Sequence, residues 1–222
     1  MKFLSKISMI MFVVLLSACA KHLTKNEVES IQRVGITNHF PEYFTHMTAD
    51  IALPGARGLR QIHDVELKKF VGAELRKQLQ QRGFSVVEVK NIPFLDPRKQ
   101  LLGHVFSMGK GEKKVSIENV DLIIEIIPRE RQGMINSMGY GFHKSAVFGL
   151  EGRQYAYTAL DLNFLVNAEN RCGNCKSDNS IEISGMKLNW EELDKSKQIA
   201  LMGLLKLNIR TAIQIALEKS NL

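Results

Sequence analysis

The sequence predicts an α+β or α/β fold in which a single mixed sheet of about five strands is packed by two long helices and one short one. Three observations predict it. A strand-like run at Ile31 to Thr37 precedes a segment of helical period and then the β-branched run Phe84 to Val89, a strand, helix, strand unit that favours parallel neighbours. Val120 to Ile127 (VDLIIEII) is almost continuously apolar and ends at Pro128, the mark of a central strand buried on both faces. Residues 155–168 alternate apolar and polar side chains, and a long amphipathic segment follows them to the C-terminus.

The elements follow in order. Lys2 and Lys6 precede an apolar run of ten, Ile7 to Leu16, which has the length of a secretory signal core and falls short of the roughly 20 residues of a membrane-spanning helix. The run closes on Leu16-Ser17-Ala18-Cys19, which resembles the lipobox of bacterial lipoproteins. The resemblance covers about twenty positions. It implies that residues 1–18 are a signal peptide and that Cys19 becomes an acylated N-terminus. At about 0.8 kcal/mol per buried methylene, several chains make attachment effectively permanent. Ala20 after the cysteine, where Asp favours inner-membrane retention in such lipoproteins, implies the outer membrane with the domain facing the periplasm. Residues 19–30 are polar and read as a tether, leaving 31–222 as a single domain.

Within that domain Val34 and Ile36 share one face of a first strand, and residues 39–62, with Pro41, Pro54, Gly55 and Gly58, read as a long loop with room for a short strand. Asp64 is placed to cap a helix in which Leu67, Val71, Leu75 and Leu79 recur every four residues, and Gly83 closes it. Pro97 opens a short helix through Phe106, and Lys110 to Lys114 reads as a solvated loop. In residues 155–168, Ala156, Leu160, Leu162, Phe164 and Val166 face one way and Tyr155, Tyr157, Asp161 and Asn163 the other, predicting a long strand with one wet face. It pairs as a hairpin with Ser180 to Lys187. Asn189 or Asp194 caps the last helix, whose stripe runs from Ile199 to Ala216; Lys206 and Arg210 argue against a membrane span.

This order of elements, with RVGIT opening the fold, a helix ending in Arg82-Gly83-Phe84, the DLIIEI strand and a terminal helix, loosely resembles small periplasmic α/β lipoproteins such as penicillin-binding-protein activators and the curli-secretion lipoprotein. The resemblance spans residues 31–218 and is architectural. It implies a scaffold or regulator of an envelope machine, such as a secretion system, motor ring or peptidoglycan synthase complex, without chemistry of its own.

Composition sets the bounds. Of 222 residues 45% are hydrophobic and 24% charged, which excludes global disorder, and 16 Gly with 5 Pro exclude collagen-like chains. The net charge of +7 includes the leader's two lysines and is too small to argue for nucleic acid. Cys172-Gly173-Asn174-Cys175 is flanked by turn-forming residues and reads as a structural disulfide, with a redox pair or zinc half-site as alternatives. None of the six histidines has the spacing of a metal helix, and HExxH, GxSxG and P-loop motifs are absent from the sequence. His143, Ser145 and Asp161 can be drawn as a triad, as such residues can in most chains of this size. No enzyme activity, cofactor or metal is expected.

The unusual stretch is Gly133 to Gly152, which holds five glycines among many large apolar residues. One reading is a hairpin whose apolar side joins the core; the other is a partner-facing loop in which Met134, Met138, Tyr140, Phe142 and Phe148 make contact with an envelope protein. The alternative function is a periplasmic hydrolase or small-ligand carrier.

Overall fold

The computed structural model describes residues 23–50, 57–89, 120–131, 138–148, 150–166, 169–170, 175–185 and 188–222. They form a mixed α+β fold with three helices, α1 (Lys25–Ser30), α2 (Val65–Gln81) and α3 (Lys195–Lys219). The strands are β1 (Arg33–Asn38), β2 (Tyr43–Asp50), β3 (Arg57–His63), β4 (Ser85–Glu88), β5 (Leu122–Pro128), β6 (Tyr140–Val147), β7 (Leu150–Val166), β8 (Glu169–Asn170) and β9 (Lys176–Ile183). All belong to one nine-stranded mixed sheet rather than a sheet of about five.

The extra strands have a topological origin. The 17-residue β7 is the axis, and β9 lines one of its edges antiparallel from Gln154 to Asp161. The opposite edge is shared end to end: β6 pairs with Leu150–Thr158 and β5 with Leu160–Leu165. Where they meet, Arg129 donates to the Ala159 carbonyl and Ala159 to the Gly139 carbonyl, so β7 bridges the break. The next layer repeats the split, with β1 parallel to β5 and β2 parallel to β6. Then β4 pairs parallel with β1, and β3 antiparallel with β2. Residues 39–62 thus supply two strands rather than a loop, because β2 and β3 extend the sheet beside β6.

Gly141 makes the β2–β6 junction possible. A Cβ built on it would stand 2.8 Å from the Thr45 carbonyl carbon and 2.9 Å from its backbone nitrogen, closer than side chains approach backbone.

Both long helices lie on one face of the sheet. Asp64 caps α2 by accepting from the Leu67 amide, and Gly83 leaves it at φ +93, as the spacing predicts. Leu67, Val71, Leu75 and Leu79 are fully buried. Asp194 caps α3 by accepting from the Lys197 amide. By length and composition α3 is apolar enough to cross a membrane, yet Leu201, Leu205, Ile209, Ala212, Ile213 and Ala216 are buried in the common core.

Two further expectations change. The stretch read as a tether contains α1, closed by a capping box in which the Glu27 amide donates to Thr24 and the Thr24 amide to Glu27. Leu23 is 3% exposed, so the ordered domain begins before Ile31 because an apolar side chain on each flank of α1 finds the core. The second face of β7 is not wet throughout, since Tyr157 and Ala159 are buried along with the alternate set. The short helix expected after Pro97 and the Lys110 to Lys114 loop lie outside the described residues.

Candidate functional site

The residues proposed to meet a partner separate by burial. Tyr140 and Phe142 are fully buried. The Tyr140 ring stacks on Phe40 with centroids 5.0 Å apart, and its hydroxyl donates to the Pro41 carbonyl at 2.8 Å. Phe142 packs edge-on against Phe44 at 5.6 Å and stacks with Trp190 at 5.7 Å. Both point to the helix face, so they are core residues and not a contact surface. Alternation along β6 decides this, and the glycines on either side of Tyr140 hide it in the sequence. Met138 is half-buried and bridges antiparallel to Glu130. Met134 lies outside the described residues.

Phe148 is different. Val147 pairs with Leu150, so Phe148 lies in the tight turn of the β6–β7 hairpin. Such turns demand positive φ, and Phe148 adopts +52°, a conformation unfavourable for a bulky residue. Its side chain and that of Leu150 are each 73% exposed. Just behind the tip the register shifts between Lys144 and Ala146, and the Ser145 hydroxyl donates to the Arg153 carbonyl at 2.9 Å. The result is an apolar, aromatic tip on a hydrogen-bonded ladder. Leu150 joins Phe148 at the exposed tip.

The sheet face opposite the helices carries a second constellation. Arg131 lies over the rings of Tyr155 and Tyr157, at 5.7 and 5.6 Å from their centroids, and its Nε is 3.7 Å from Asp178. His143 stacks on the other ring partner, Tyr155, at 6.5 Å. Burial, reinforced by the Arg131 charge, pushes the His143 imidazole down to about 4, so it is neutral at pH 7. The His143 Nδ1 and Arg131 Nη1 atoms are buried without a hydrogen-bond partner. Further along this face Glu125 accepts from Asn163 at 2.7 Å and meets His39 Nε2 at 3.3 Å, linking β5 to β7 and to the residue that follows β1.

The triad drawn from the sequence is not assembled. Asp161 sits opposite Ile127, six residues along β7 from the Tyr155 that pairs with His143, about 20 Å at strand rise. The Ser145 hydroxyl is spent on a backbone carbonyl. Among the described residues no group of three or more His, Cys, Asp or Glu side chains stands close enough to hold a metal ion. Cys175 is 1% exposed and part of the core; Cys172 and Cys19 lie outside the described residues.

No family model matches the chain, and no curated protein matches it. Among solved structures, the crystal structure of a Xanthomonas campestris protein that carries the family designation DUF330 is similar in outline, with 8% sequence identity, coverage of 91% of this chain and 85% of that one, and a TM-score of 0.40.

Proposed function

We propose that this chain is a non-enzymatic accessory lipoprotein of the cell envelope, held in the outer membrane by acyl groups on Cys19 with its domain in the periplasm. Its task is to dock onto an envelope assembly of the secretion, motor-ring or peptidoglycan-synthase kind. The observation that carries the docking role is the β6–β7 tip, where Phe148 and Leu150 are 73% exposed on a turn with positive φ. Two large apolar side chains exposed at the end of a hydrogen-bonded hairpin are placed to enter a partner's pocket, where burying them would supply binding energy. The anchoring role rests on the lipobox resemblance at residues 16–19. A disulfide between Cys172 and Cys175 belongs to the same reading; Cys175 itself is 1% exposed.

The test compares Phe148→Ser/Leu150→Ser with the parent chain. Melting temperature and membrane retention should be unchanged while in vivo cross-linking from the tip to its partner is lost; cross-linking preserved in the double variant sinks the docking role. Cys19→Ser should abolish palmitate incorporation, and label retained there sinks the anchoring role.

A second reading, a carrier of a small anionic ligand, is favoured by the buried Arg131 Nη1 and His143 Nδ1, which together offer a donor and an acceptor without partners. Calorimetric titration with acetate and phosphate separates it from docking, because heat lost in Arg131→Gln would assign the ligand to this face.

A further inference from the structure

We infer that the outer edge of β9 is the seam of a symmetric dimer, in which β9 of a second copy of this chain adds antiparallel and the two sheets become one. This seam is independent of the anchoring and docking roles above, because it uses neither the N-terminal segment nor the β6–β7 tip.

β9 pairs with β7 along one side, and among the described residues no strand pairs with its other side. The Cys175 carbonyl accepts from the Leu162 amide of β7. By the alternation of a strand, the N–H and C=O groups of Lys176, Asp178, Ser180 and Glu182 therefore turn to the outer edge. These four residues are exposed and stand on the sheet face opposite the helices, since they pair with Asp161, Ala159, Tyr157 and Tyr155 in turn. Such an edge is a template for another strand.

Its charges fall in a self-complementary order. Outward-facing residues exchange the hydrogen bonds, so two antiparallel copies of β9 set Lys176, Asp178, Ser180 and Glu182 against one another. With the two-fold axis at Asn179, Lys176 of each copy meets Glu182 of the other, and Asp178 meets Ser180. Moving the axis by one residue sets Asp178 against its own copy or against Glu182, and moving it further shortens the overlap. Charge thus selects one register. Behind the seam Asp161 pairs with Lys176, and Arg153 shares the face of Glu182, so sign alternates from Arg153 to Glu182 to Lys176 and Asp161 of the second copy.

The helix layer fits the same seam. Asn208 donates to the Ala156 carbonyl of β7 at 2.6 Å and to the Asn179 carbonyl of β9 at 3.3 Å, so α3 sits over the boundary between these strands. With strands about 4.8 Å apart, α3 lies about 5 Å from the seam and about 10 Å from its copy, a distance at which helices pack. Leu204, Thr211 and Ile215 share the side of α3 that carries Asn208, and each is half-buried in the single chain. A second α3 covers this stripe. The Thr211 hydroxyl already donates to the Leu207 carbonyl and adds no unsatisfied donor there. Lys219 reaches the Lys176 carbonyl at 2.8 Å, at the end of the seam, and is exposed enough to swing aside.

Association of the full chain in mild detergent is followed by sedimentation velocity over a concentration series. The parent should dimerise. Lys176→Glu and Glu182→Lys should each weaken the dimer about tenfold or more, because both seam pairs become like-charge pairs. Mixed in equal amounts, with an affinity tag on one of them, the two variants should dimerise as the parent does and co-purify, since each seam pair then joins an acidic and a basic side chain. Ser180→Pro, which removes an outward amide without changing charge, should also weaken the dimer while the melting temperature of the chain is kept. A parent that stays monomeric, or that is recovered joined through β9 to a different protein, overturns the inference. Single variants that dimerise like the parent, or a mixture that stays monomeric, overturn it as well.

Discussion

Asn179 on β9 donates a side-chain hydrogen bond of 2.7 Å to Asn208 on α3, and Asn208 passes the connection on to the Ala156 carbonyl of β7 at 2.6 Å. Asn208 is fully buried in an otherwise apolar helix face, so its amide fixes the rotation of α3 on the sheet. Asn208→Leu leaves the half-buried Asn179 amide and the Ala156 carbonyl without this partner and should destabilise the fold by about 2–3 kcal/mol. Urea denaturation measures it; an unchanged midpoint would show that apolar packing alone sets the register.

Phe142→Ala should cost about 3–5 kcal/mol, because a fully buried ring between Phe44 and Trp190 is replaced by a cavity. Tyr140→Phe removes only the hydrogen bond to Pro41 and should cost about 1 kcal/mol. Phe148→Ala, on the exposed turn, should leave thermal stability unchanged or slightly raised. A melting series over the three variants checks the division between core and tip.

Gly141→Ala should be severely destabilising, at more than about 3 kcal/mol, since its Cβ meets the Thr45 backbone and not a side chain able to move aside. Hydrogen exchange should report loss of protection in β2 and β3 first, the strands that depend on this junction. Equal loss of protection in β1 and β5 would mean that the two halves of the sheet unfold together.

Stability should fall as pH drops from about 6.5 toward 4. His143 is held near 4 when folded and titrates near 6.5 when unfolded, so the unfolded chain binds more protons through that window. The depressed pKa contributes stability that is complete above 6.5, at most roughly 3 kcal/mol, and that is progressively lost on acidification. His143→Gln should flatten the slope in chemical denaturation at pH 7 and pH 4.5. A slope that persists in the variant assigns the effect to other groups, His46 among them, whose imidazole is also lowered by burial and by Arg60.

Cys175→Ser should cost about 1–3 kcal/mol in addition to any loss of cross-linking, because the position is 1% exposed within the core and a hydroxyl there replaces a sulfur. That is more than the sequence alone suggests, where the cysteine pair looks like a clamp on a solvated turn. Comparison with Cys172→Ser, which removes the proposed bridge while leaving residue 175 in place, separates packing from cross-linking.

The sequence by itself determined the elements whose signals are local. Leucines every four residues and an Asp64 cap specify α2, the VDLIIEII run specifies β5, and alternation specifies the long β7, because side-chain period and capping act over a few residues. It also held the lipobox-like segment, a contiguous feature that needs no fold to be read. Tertiary structure alone decided what depends on pairing over long distance. Residues 39–62 carry weak local signals, yet they become β2 and β3 because Gly141 opens a place beside β6 for the Thr45 backbone. The same pairing turned Tyr140 and Phe142 inward and left Phe148 and Leu150 outside, since a strand's two faces are equivalent until one of them is covered by helices.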